Sequence, residues 1–336
     1  MSDSLLRRLR LRAGAVVHDY PRYREAVRSG AWRWMHNRDE RITTDGRGVR
    51  CEWEFTSDIH LANVFPSTGT RLMRMALADW PIVMRNAPEV IRETPVVSFV
   101  IGHRGLSRLQ HLLMTLKSIA GQQGVPFECV VVEQDRSPLI ESHLPPWVRY
   151  RFSHCDTDYN RSATLNEGVA EARGEIVILH DGDTLVPARY AAEVLARARD
   201  GFEFIDVKRF TFYLHPEETK RIFDTAIVRP APAIVTQNGK GVSIAAARRA
   251  YLDIGGFDED FVGWGGEDND FWDRVHVHGN AYEFGYLPMI HLYHEAQKGK
   301  VNSSAAGMRR YHDDVRSIPP DERIRRLLAR RSRAPR

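Results

Sequence analysis

Apolar and polar positions follow two different periods along residues 95–210. Short, β-rich apolar runs cover residues 95–102, 127–135, 175–183 and 202–210, and apolar residues at helical spacing cover residues 108–124, 162–174 and 188–201. Strands that alternate with helices are typical of a mainly parallel sheet with helices on both faces. The pattern therefore predicts an α/β fold for this part of the chain.

The chain divides into three parts at changes in this pattern. We interpret residues 1–94 as an N-terminal α+β extension, residues 95–297 as the α/β domain and residues 298–336 as a basic C-terminal tail. The α/β domain itself divides at residue 187 into halves 95–187 and 188–297. The extension is predicted to pack on this domain.

Local signals add detail to two of these parts. Residues 4–35 contain helical stretches rich in Arg and Trp, and residues 42–55 predict a β-hairpin that turns at Asp45-Gly46. In the α/β domain, residues 229–241 are rich in turn-forming residues and predict a loop near the ligand site.

Composition and charge exclude several classes of protein. The chain has 336 residues, of which 43% are hydrophobic and 27% charged, as in ordinary globular proteins. Its net charge of +4 is uneven, because residues 1–12 have four Arg against Asp3 and residues 319–336 have seven Arg against two acids. The remaining body is mildly acidic, which argues against a nucleic-acid-binding face.

The sequence also predicts the cellular compartment. Its longest apolar runs, such as residues 96–101, are far shorter than the roughly 20 residues that cross a bilayer. The N-terminus lacks the long apolar stretch of a secretory signal. Cys51, Cys129 and Cys155 are far apart and form no CxxC pair, which favours a reducing compartment. We therefore expect a cytoplasmic protein.

Polar residues follow three of the predicted strands, at the edge where parallel strands end. They are His103 and Arg104, then Glu133, Gln134 and Asp135, then His180, Asp181, Gly182 and Asp183. Ligands of such sheets bind beyond the carboxyl ends of the strands, so these three groups are predicted to converge.

The Asp181-Gly182-Asp183 triplet is the first candidate for chemistry. Two carboxylates at the end of a strand can hold a hard divalent cation and, through it, a diphosphate. The chain has four DxD triplets, and a buried strand leads directly into this one. The alternative is a solvated turn before the next helix, and the context favours the metal site.

A second candidate lies in residues 254–275. Trp264-Gly265-Gly266 offers an indole face and open backbone, as a sugar-binding platform does. Glu267, Asp268 and Asp270 then begin a helix, where the positive end of the helix dipole favours carboxylates. Helix capping explains acids there, but it does not explain an exposed Trp between glycines.

The third candidate is a pair of histidines, His291 and His294, after a predicted strand. A late histidine can complete a cation site begun by Asp183, and the alternative is a structural role. Zinc bound alone is less favoured, because neither Cys nor a further His stands at ligand spacing.

The motifs quoted so far resemble one known family. Residues 159–187 and 238–275 are similar to the β-1,4-galactosyltransferases and to bacterial family-2 glycosyltransferases with a galactosyltransferase C-terminal domain, the chondroitin-polymerase type. The resemblance covers residues 95–297, and several motifs occur in the order seen in the family. It implies the GT-A fold, a Rossmann-like nucleotide-binding half (95–187) followed by an acceptor-binding half (188–297).

The resemblance also implies roles for individual residues. Contacts to a uridine diphosphate fall on the end of the first strand, on a YNR motif and on an acidic strand end. These residues are Ile101, Gly102, His103, Arg104, Tyr159, Asn160 and Arg161, with Glu133 or Asp135 at the uracil edge.

The remaining roles concern the metal, the acceptor and the transferred sugar. Asp183 matches the metal-binding Asp, with Asp181 in support. The family's late metal-binding His falls on His294, or on His291 as a close second, and Met289 resembles the Met beside it. The other matched residues are Gly182 on the donor side, Trp264, Gly265 and Gly266 between the two sugars, and Glu267 and Asp268 on the acceptor side, with Asp268 as general base.

Together these matches imply an inverting enzyme that moves galactose or N-acetylgalactosamine from a UDP-sugar to a glycan or glycolipid hydroxyl. Mn²⁺ or Mg²⁺ is the implied cofactor, and polysaccharide biosynthesis the implied setting. Two other readings are a sugar-nucleotide type nucleotidyltransferase and a carbohydrate-binding protein on the same fold. A nicotinamide-dependent oxidoreductase is disfavoured, since GxGxxG is absent from the sequence.

Both basic ends predict a contact with a membrane surface. Residues 322–333 place Ile324, Leu327 and Leu328 at helical spacing among arginines, and the N-terminal LLRRLRLR is similar. Basic amphipathic helices lie on anionic membranes, and the alternative is a solvated tail.

Overall fold

A computed structural model describes residues 2–38, 40–51, 57–89, 94–262, 265–295 and 306–333. Its centre is a twisted sheet, to which seven strands of these ranges contribute in the order β13-β9-β12-β7-β4-β5-β6. The strands are β4 (Val97–His103), β5 (Phe127–Asp135), β6 (Arg149–His154), β7 (Ile176–His180), β9 (Phe204–Ile205), β12 (Ser243–Ala247) and β13 (Ala281–Tyr282).

This sheet is mainly parallel, as the sequence predicts. β4 pairs in parallel with β5 and β7, β5 with β6, and β9 with β13, whereas β12 runs antiparallel to both its neighbours. Successive side chains of a strand point to opposite faces of the sheet, so both faces carry side chains for helices to pack against. Phe99 and Ile101 point into one buried cluster, and Val100 points into the other.

The helices of the α/β domain are α5 (Leu109–Ala120), α6 (Arg161–Glu171), α7 (Tyr190–Arg199), α8 (Pro216–Thr225), α9 (Arg248–Asp253) and α10 (Glu267–His278). Three of them, α5 to α7, match the predicted periodicity to within a few residues, and α10 begins at the predicted acids, whereas α8 and α9 were not predicted. Asn160 caps α6, since its side chain accepts a hydrogen bond from the Ala163 amide. The cap makes Arg161 the first residue of α6, directly beyond the carboxyl end of the sheet.

A second sheet corrects two predictions. Within the described ranges it has five strands, ordered β3 (Ser57–Asp58), β11 (Pro232–Gln237), β10 (Lys208–Leu214), β14 (Leu287–His291) and β8 (Thr184–Leu185). The single strand predicted over residues 202–210 is therefore two strands in different sheets. Part of the predicted loop 229–241 is strand β11, because the backbone of β10 was available to pair with it.

The N-terminal residues form helices and a hairpin. The elements are α1 (Ser2–Gly14), a π-helical stretch (Ala15–Asp19), α2 (Tyr20–Ser29), β1 (Glu40–Ile42), β2 (Val49–Cys51), α3 (His60–Val64) and α4 (Pro66–Asp79). β1 and β2 are the arms of the predicted hairpin, and residues 52–56 of that prediction lie outside the described ranges. Buried Trp32, Leu72 and Met73 pack against Phe210 and Phe212 of β10, so the extension covers the second sheet.

The C-terminal residues form a packed helix, α11 (Pro320–Arg333), where the sequence predicts a tail. Ile324 and Leu327 are 9% and 7% exposed, and Ile324 joins the cluster around Phe271. The apolar face of α11 is thus used inside the protein, which corrects the prediction that it lies on a membrane. Across the described ranges, every helix is too short or too polar to span a bilayer.

Candidate active site

A cavity of about 830 Å³ opens at the carboxyl ends of β4 and β7. The end of β7, the first turns of α6 and α10, the strands β10 and β11, the loop 239–242 and the segment after β14 form its wall. Of the three polar strand ends that the sequence predicts to converge, the third lines the cavity, with His180, Asp181, Gly182 and Asp183. The predicted groups at the ends of β4 and β5 do not line it, and β4 contributes Gly102 instead.

Asp183, His291 and His294 form one cluster whose ligand atoms all lie within 4.8 Å of one another. Nε2 of His291 is 3.5 Å from Oδ1 of Asp183, and Nε2 of His294 is 3.2 Å from Oδ2. Strand pairing brings them together, because His291 pairs with Thr184 and the Leu292 amide donates to the Asp183 carbonyl. Both histidines that the sequence proposed thus face Asp183.

The histidine ring orientations suit a cation. Nδ1 of His291 lies 2.8 Å from the Leu292 carbonyl and Nδ1 of His294 lies 3.0 Å from the Glu295 carbonyl. His291, by donating from Nδ1 to the Leu292 carbonyl, carries its lone pair on Nε2, which is the usual tautomer of a metal ligand. For His294 the carbonyl of Glu295 and the donor Nη2 of Arg108 both lie near Nδ1, and they favour opposite tautomers. Tyr213 stacks on His291 at 4.5 Å and supports its ring. Buried Oδ1 of Asp183 has no hydrogen-bond partner among the described residues, as expected of an atom that ligates an ion.

Arg108 belongs to this cluster, although the sequence reasoning did not select it for the site. Nη1 of Arg108 lies 3.2 Å from Oδ2 of Asp183, and Nη2 lies 3.1 Å from Nδ1 of His294. Burial alone would raise the pKa of Asp183, but His291, His294 and Arg108 together hold it below its ordinary value. The signal in the sequence was an Arg immediately before helix α5, in the loop that follows the first strand.

Asp181 faces away from this cluster and binds Arg161. Nη2 and Nε of Arg161 are 2.8 and 2.9 Å from Oδ1 of Asp181, so the structure corrects the prediction of Asp181 as a metal ligand. Nη1 of Arg161 also reaches Oδ1 of Asp268 at 3.3 Å and Oε1 of Glu267 at 3.9 Å. Arg161 therefore joins the DxD triplet to the first turn of α10.

Glu267 and Asp268 have perturbed protonation. Burial, followed by the neighbouring Asp268 carboxylate, raises the pKa of Glu267 to about 7. Burial also raises the pKa of Asp268, although Arg161 opposes the shift. A carboxylate whose pKa is raised is a stronger base than an exposed one, which suits a group that accepts a proton.

The loop before β12 closes over these acids. A Cβ added to Gly241 would collide with Oδ2 of Asp268, so the backbone approaches this carboxylate as closely as a glycine permits. Asn238 and Val242 have positive φ angles of 58° and 73°, and Val242 is β-branched, so its backbone is strained. Strain of this kind is often found at ligand sites.

The first strand contributes less to the cavity than predicted. Gly102 lines it, and a Cβ there would collide with Tyr159 and Thr164. Ile101 is fully buried in the core, because alternation along β4 turns its side chain into the sheet face under α5. His103 is buried and bonds to the Gly105 carbonyl, while Arg104 donates to the Thr157 carbonyl. These three predicted donor contacts are therefore not part of the cavity wall.

The two acidic residues at the end of β5 have different surroundings. Glu133 is fully buried and accepts hydrogen bonds from Tyr150 and from the Leu139 and Ile140 amides, so its carboxylate stabilises a loop. This corrects the prediction that Glu133 contacts the uracil edge. The Asp135 carboxylate lies 3.9 Å from Arg104 at the sheet edge, and it remains the candidate.

The three residues of the YNR motif have different roles. Tyr159 lines the cavity with its hydroxyl 3.2 Å from Thr164, and burial raises its pKa to about 12. The Asn160 side chain caps α6 and donates to the Glu259 carbonyl, so it is committed to structure. Of the three predicted contacts, Tyr159 and Arg161 face the cavity.

The glycine-rich turn before α10 is only partly described. Trp264, the predicted sugar platform, lies outside the described residues, whereas Gly265 and Gly266 line the cavity. A Cβ on Gly266 would come within 2.6 Å of the Gly307 carbonyl, so the C-terminal segment packs on this turn. Met289, which the resemblance placed beside the metal-binding His, is buried in the core instead.

Two family models match the chain. The model of glycosyl transferase family 2 matches residues 107–249, and a model described as the N-terminal domain of galactosyltransferase matches residues 235–295. The matched stretch contains Arg108, the DxD triplet, the acids of α10 and both histidines.

A curated relative and two solved structures are also similar. A hyaluronan synthase of Pasteurella multocida is 24% identical over 237 residues, which are 57% of this chain; the chain spans 24% of the length of that protein. A mannosyltransferase of Pyrobaculum calidifontis, solved with GDP-Man and Mn²⁺, is 18% identical, with 79% of this chain and 76% of that chain covered and a TM-score of 0.42. S. aureus TarS, solved with UDP, is 14% identical, with 66% and 73% covered and a TM-score of 0.43.

The mainly parallel sheet, with its acidic site at the carboxyl ends of the strands, places this protein in the class of GT-A-type α/β proteins. Over residues 107–295 the chain resembles the family-2-like glycosyltransferases.

Proposed function

We propose that the protein transfers a sugar from a UDP-sugar to a hydroxyl group of a glycan or glycolipid, with inversion at the anomeric carbon. The observation that carries the proposal is one cavity with two separate centres, a group of candidate metal ligands and a pair of acids. Asp183, His291 and His294 form the first, and Glu267 and Asp268 form the second. An inverting transfer needs this division, because the leaving diphosphate and the attacking hydroxyl lie on opposite faces of the sugar.

The first centre supports a donor site. Asp183, His291 and His294 offer one carboxylate and two imidazole ligands, which suits Mn²⁺, with Mg²⁺ as the second candidate. A cation bound there supplies charge stabilisation to the departing diphosphate. Arg108 adds a fixed positive charge beside the same position. Tyr159 and Gly102 lie on the β4 side of the cavity, from which the nucleoside is proposed to enter.

The second centre supports an acceptor site. Asp268 accepts the proton of the attacking hydroxyl in this proposal, which is general-base catalysis worth about 10²–10⁴-fold in rate. Glu267 is buried beside it and is proposed to orient the acceptor. Arg161 keeps one oxygen of Asp268 occupied at 3.3 Å, so the other oxygen is the one that faces the hydroxyl.

The identity of the sugar is proposed from the C-terminal half. Residues 235–295 match the galactosyltransferase model, which favours galactose or N-acetylgalactosamine as the transferred sugar. The similarity to a hyaluronan synthase favours a polysaccharide as the acceptor. Among the described residues, we find no structural observation that favours a nucleotidyltransferase or a non-catalytic carbohydrate-binding protein.

The test is release of UDP from a panel of UDP-sugars, with and without Mn²⁺ and with mixed oligosaccharide acceptors. Wild type is compared with Asp183→Ala and with Asp158→Ala, which alters an exposed DxD triplet as a matched control. We expect Mn²⁺-dependent release from one sugar, loss in Asp183→Ala and full activity in Asp158→Ala. Equal activity of Asp183→Ala, or release of pyrophosphate from UTP and a sugar phosphate instead, would refute the proposal.

A further inference from the structure

The two ends of the chain look alike in sequence, with leucines set among arginines, but the fold uses them differently. In α11 the apolar residues Ile324 and Leu327 are buried against the domain. In α1 and the helical turns that follow it, large apolar side chains point to solvent. The structure therefore shows which of the two helices has exposed apolar residues, and the sequence did not distinguish them.

Five of the exposed side chains form one face, which we call the N-terminal apolar face, while Leu11, which is 41% exposed, lies on the other side of α1. The face consists of Leu6, Leu9, Val16, Val17 and Tyr20, with exposed fractions of 54%, 54%, 49%, 64% and 43%. Successive members are one, three or seven residues apart, as on one side of a continuous helix.

The orientation of this face is fixed by the opposite side of the same helical segment. Ala15, Asp19 and Tyr23 are 1%, 0% and 7% exposed, and Ala15 and Tyr23 pack in the cluster under the second sheet. The helix cannot roll to bury its outer side chains without exposing these. An apolar face that the described residues leave uncovered marks an interaction surface.

Charge indicates the partner. Arg10 and Arg12 are exposed on the same helix, and residues 1–12 carry a net positive charge in sequence. Apolar side chains on one side and arginines around them are the pattern of a helix that lies in the interface of an anionic bilayer. Basic residues near such a surface contribute attraction that salt screens.

We propose that the N-terminal apolar face lies on an anionic lipid bilayer, with Leu6, Leu9, Val16 and Val17 entering the boundary between headgroups and acyl chains. Arg10 and Arg12 then lie at the level of the lipid phosphates. This surface is separate from the catalytic cavity, so the inference does not depend on the proposed function. It goes beyond that function by giving the protein a site of action at a membrane surface.

The experiment is co-sedimentation of the full chain with vesicles of phosphatidylcholine alone or with 30% phosphatidylglycerol (about a third anionic lipid, as polybasic surfaces require). The test variant combines Leu9→Glu and Val17→Glu. Its control is Leu328→Glu, at a leucine that is 40% exposed on α11. Circular dichroism and thermal unfolding check that each variant is folded.

We expect wild type and Leu328→Glu to bind anionic vesicles at least tenfold more tightly than neutral ones, and binding to weaken at high salt. The Leu9→Glu/Val17→Glu variant should lose at least tenfold in affinity. No binding of wild type to anionic vesicles, or equal losses in the variant and its control, would overturn the proposal. A wild-type dimer in light scattering that the double variant dissociates would assign the face to a second copy of the chain instead.

Discussion

Arg323 of α11 donates a hydrogen bond of 2.7 Å to Oδ1 of Asp270 in α10. The other oxygen of Asp270 accepts from Nε and Nη2 of Arg274, at 3.0 and 2.8 Å, and all three side chains are buried. Asp270 lies two residues after Asp268, so this network fixes the helical turn that carries the proposed base. α11 lies beyond both matched stretches, yet it completes this side of the site.

Arg323→Gln is expected to destabilise the protein by roughly 3 kcal/mol, because it leaves a buried carboxylate with a single charged partner. Arg326→Gln on the same helix is the control. Arg326 is about half exposed and pairs with Glu322, so its loss should cost less than about 1 kcal/mol. The measurement is urea unfolding of both variants. Equal free energies of unfolding would show that the Arg323 network adds little.

Each histidine of the cluster is expected to contribute to metal-dependent donor binding. His291→Ala and His294→Ala should each weaken the affinity for UDP in the presence of Mn²⁺ by about tenfold or more, since each removes a ligand. His154→Ala, at an exposed histidine, is the control. Isothermal titration with UDP, with and without Mn²⁺, measures the effect. A variant that keeps its Mn²⁺-dependent affinity would remove that histidine from the ligand set.

Asp268→Asn is expected to lower kcat for transfer by about 10²–10⁴-fold, because the amide cannot accept the proton of the hydroxyl. The affinity for UDP and Mn²⁺ should change little, since Asp268 lies apart from the cluster of Asp183. Steady-state kinetics and UDP titration separate the two effects. The control is Asp224→Asn, an exposed residue of α8. Transfer at the wild-type rate would assign the base to another group.

Gly241→Ala is expected to reduce transfer at least tenfold while the protein stays folded. The added methyl group would collide with the Asp268 carboxylate, and either the loop or the acid must then move. The φ angle of Gly241 is not in the left-handed region, so the effect is steric and not conformational. Kinetics together with thermal unfolding tests this, and unchanged kcat would mean that the loop moves away at no cost.

The contribution of Glu267 to the free energy of unfolding should fall as the pH rises from about 4.5 to about 7. The folded state holds the Glu267 proton up to a pKa of about 7, whereas the unfolded state releases it near the ordinary glutamate pKa of 4.5. The native state thus binds more protons in this window, so the free energy of unfolding decreases with pH, by on the order of 1 kcal/mol per unit.

Glu267→Gln removes this proton linkage. It should stabilise the protein at pH 8 relative to wild type and flatten the dependence between pH 5 and 8 (the span around the raised pKa). Glu175→Gln, at an exposed position, should leave the profile as in wild type. Urea unfolding at several pH values measures both. A wild-type slope in Glu267→Gln would show that another group carries the linkage.

Local signals in the sequence determined three adjacent strands of the central sheet, whereas β6 and β12 were not predicted. The apolar runs at residues 95–102, 127–135 and 175–183 became β4, β5 and β7, because strands buried on both faces leave little alternative for such runs. The position of the DxD triplet after the third of these strands also placed Asp183 at the correct edge. Period and strand-end chemistry are local properties, so a single sequence reveals them.

Long-range pairing decided the rest. The sequence could not show that residues 202–210 divide between two sheets, or that β14 lies beside β8 and so brings His291 to Asp183. Likewise, Asp181 and Asp183 are equivalent in the sequence, but Arg161 binds one and the histidines face the other. These partners come from distant positions, and the sequence pattern of one strand or helix contains no information about its partner.

The two ends of the chain also show the difference between what the local sequence determines and what tertiary packing decides. Their composition determined that both form basic helices with apolar residues, and the structure has helices at both ends. Only the tertiary structure decided that Ile324 of α11 lies in the core while Leu9 and Val17 of the N-terminal segment face solvent. The physical reason is that amphipathicity fixes which side of a helix is apolar, whereas what covers that side depends on the surfaces that the rest of the fold presents.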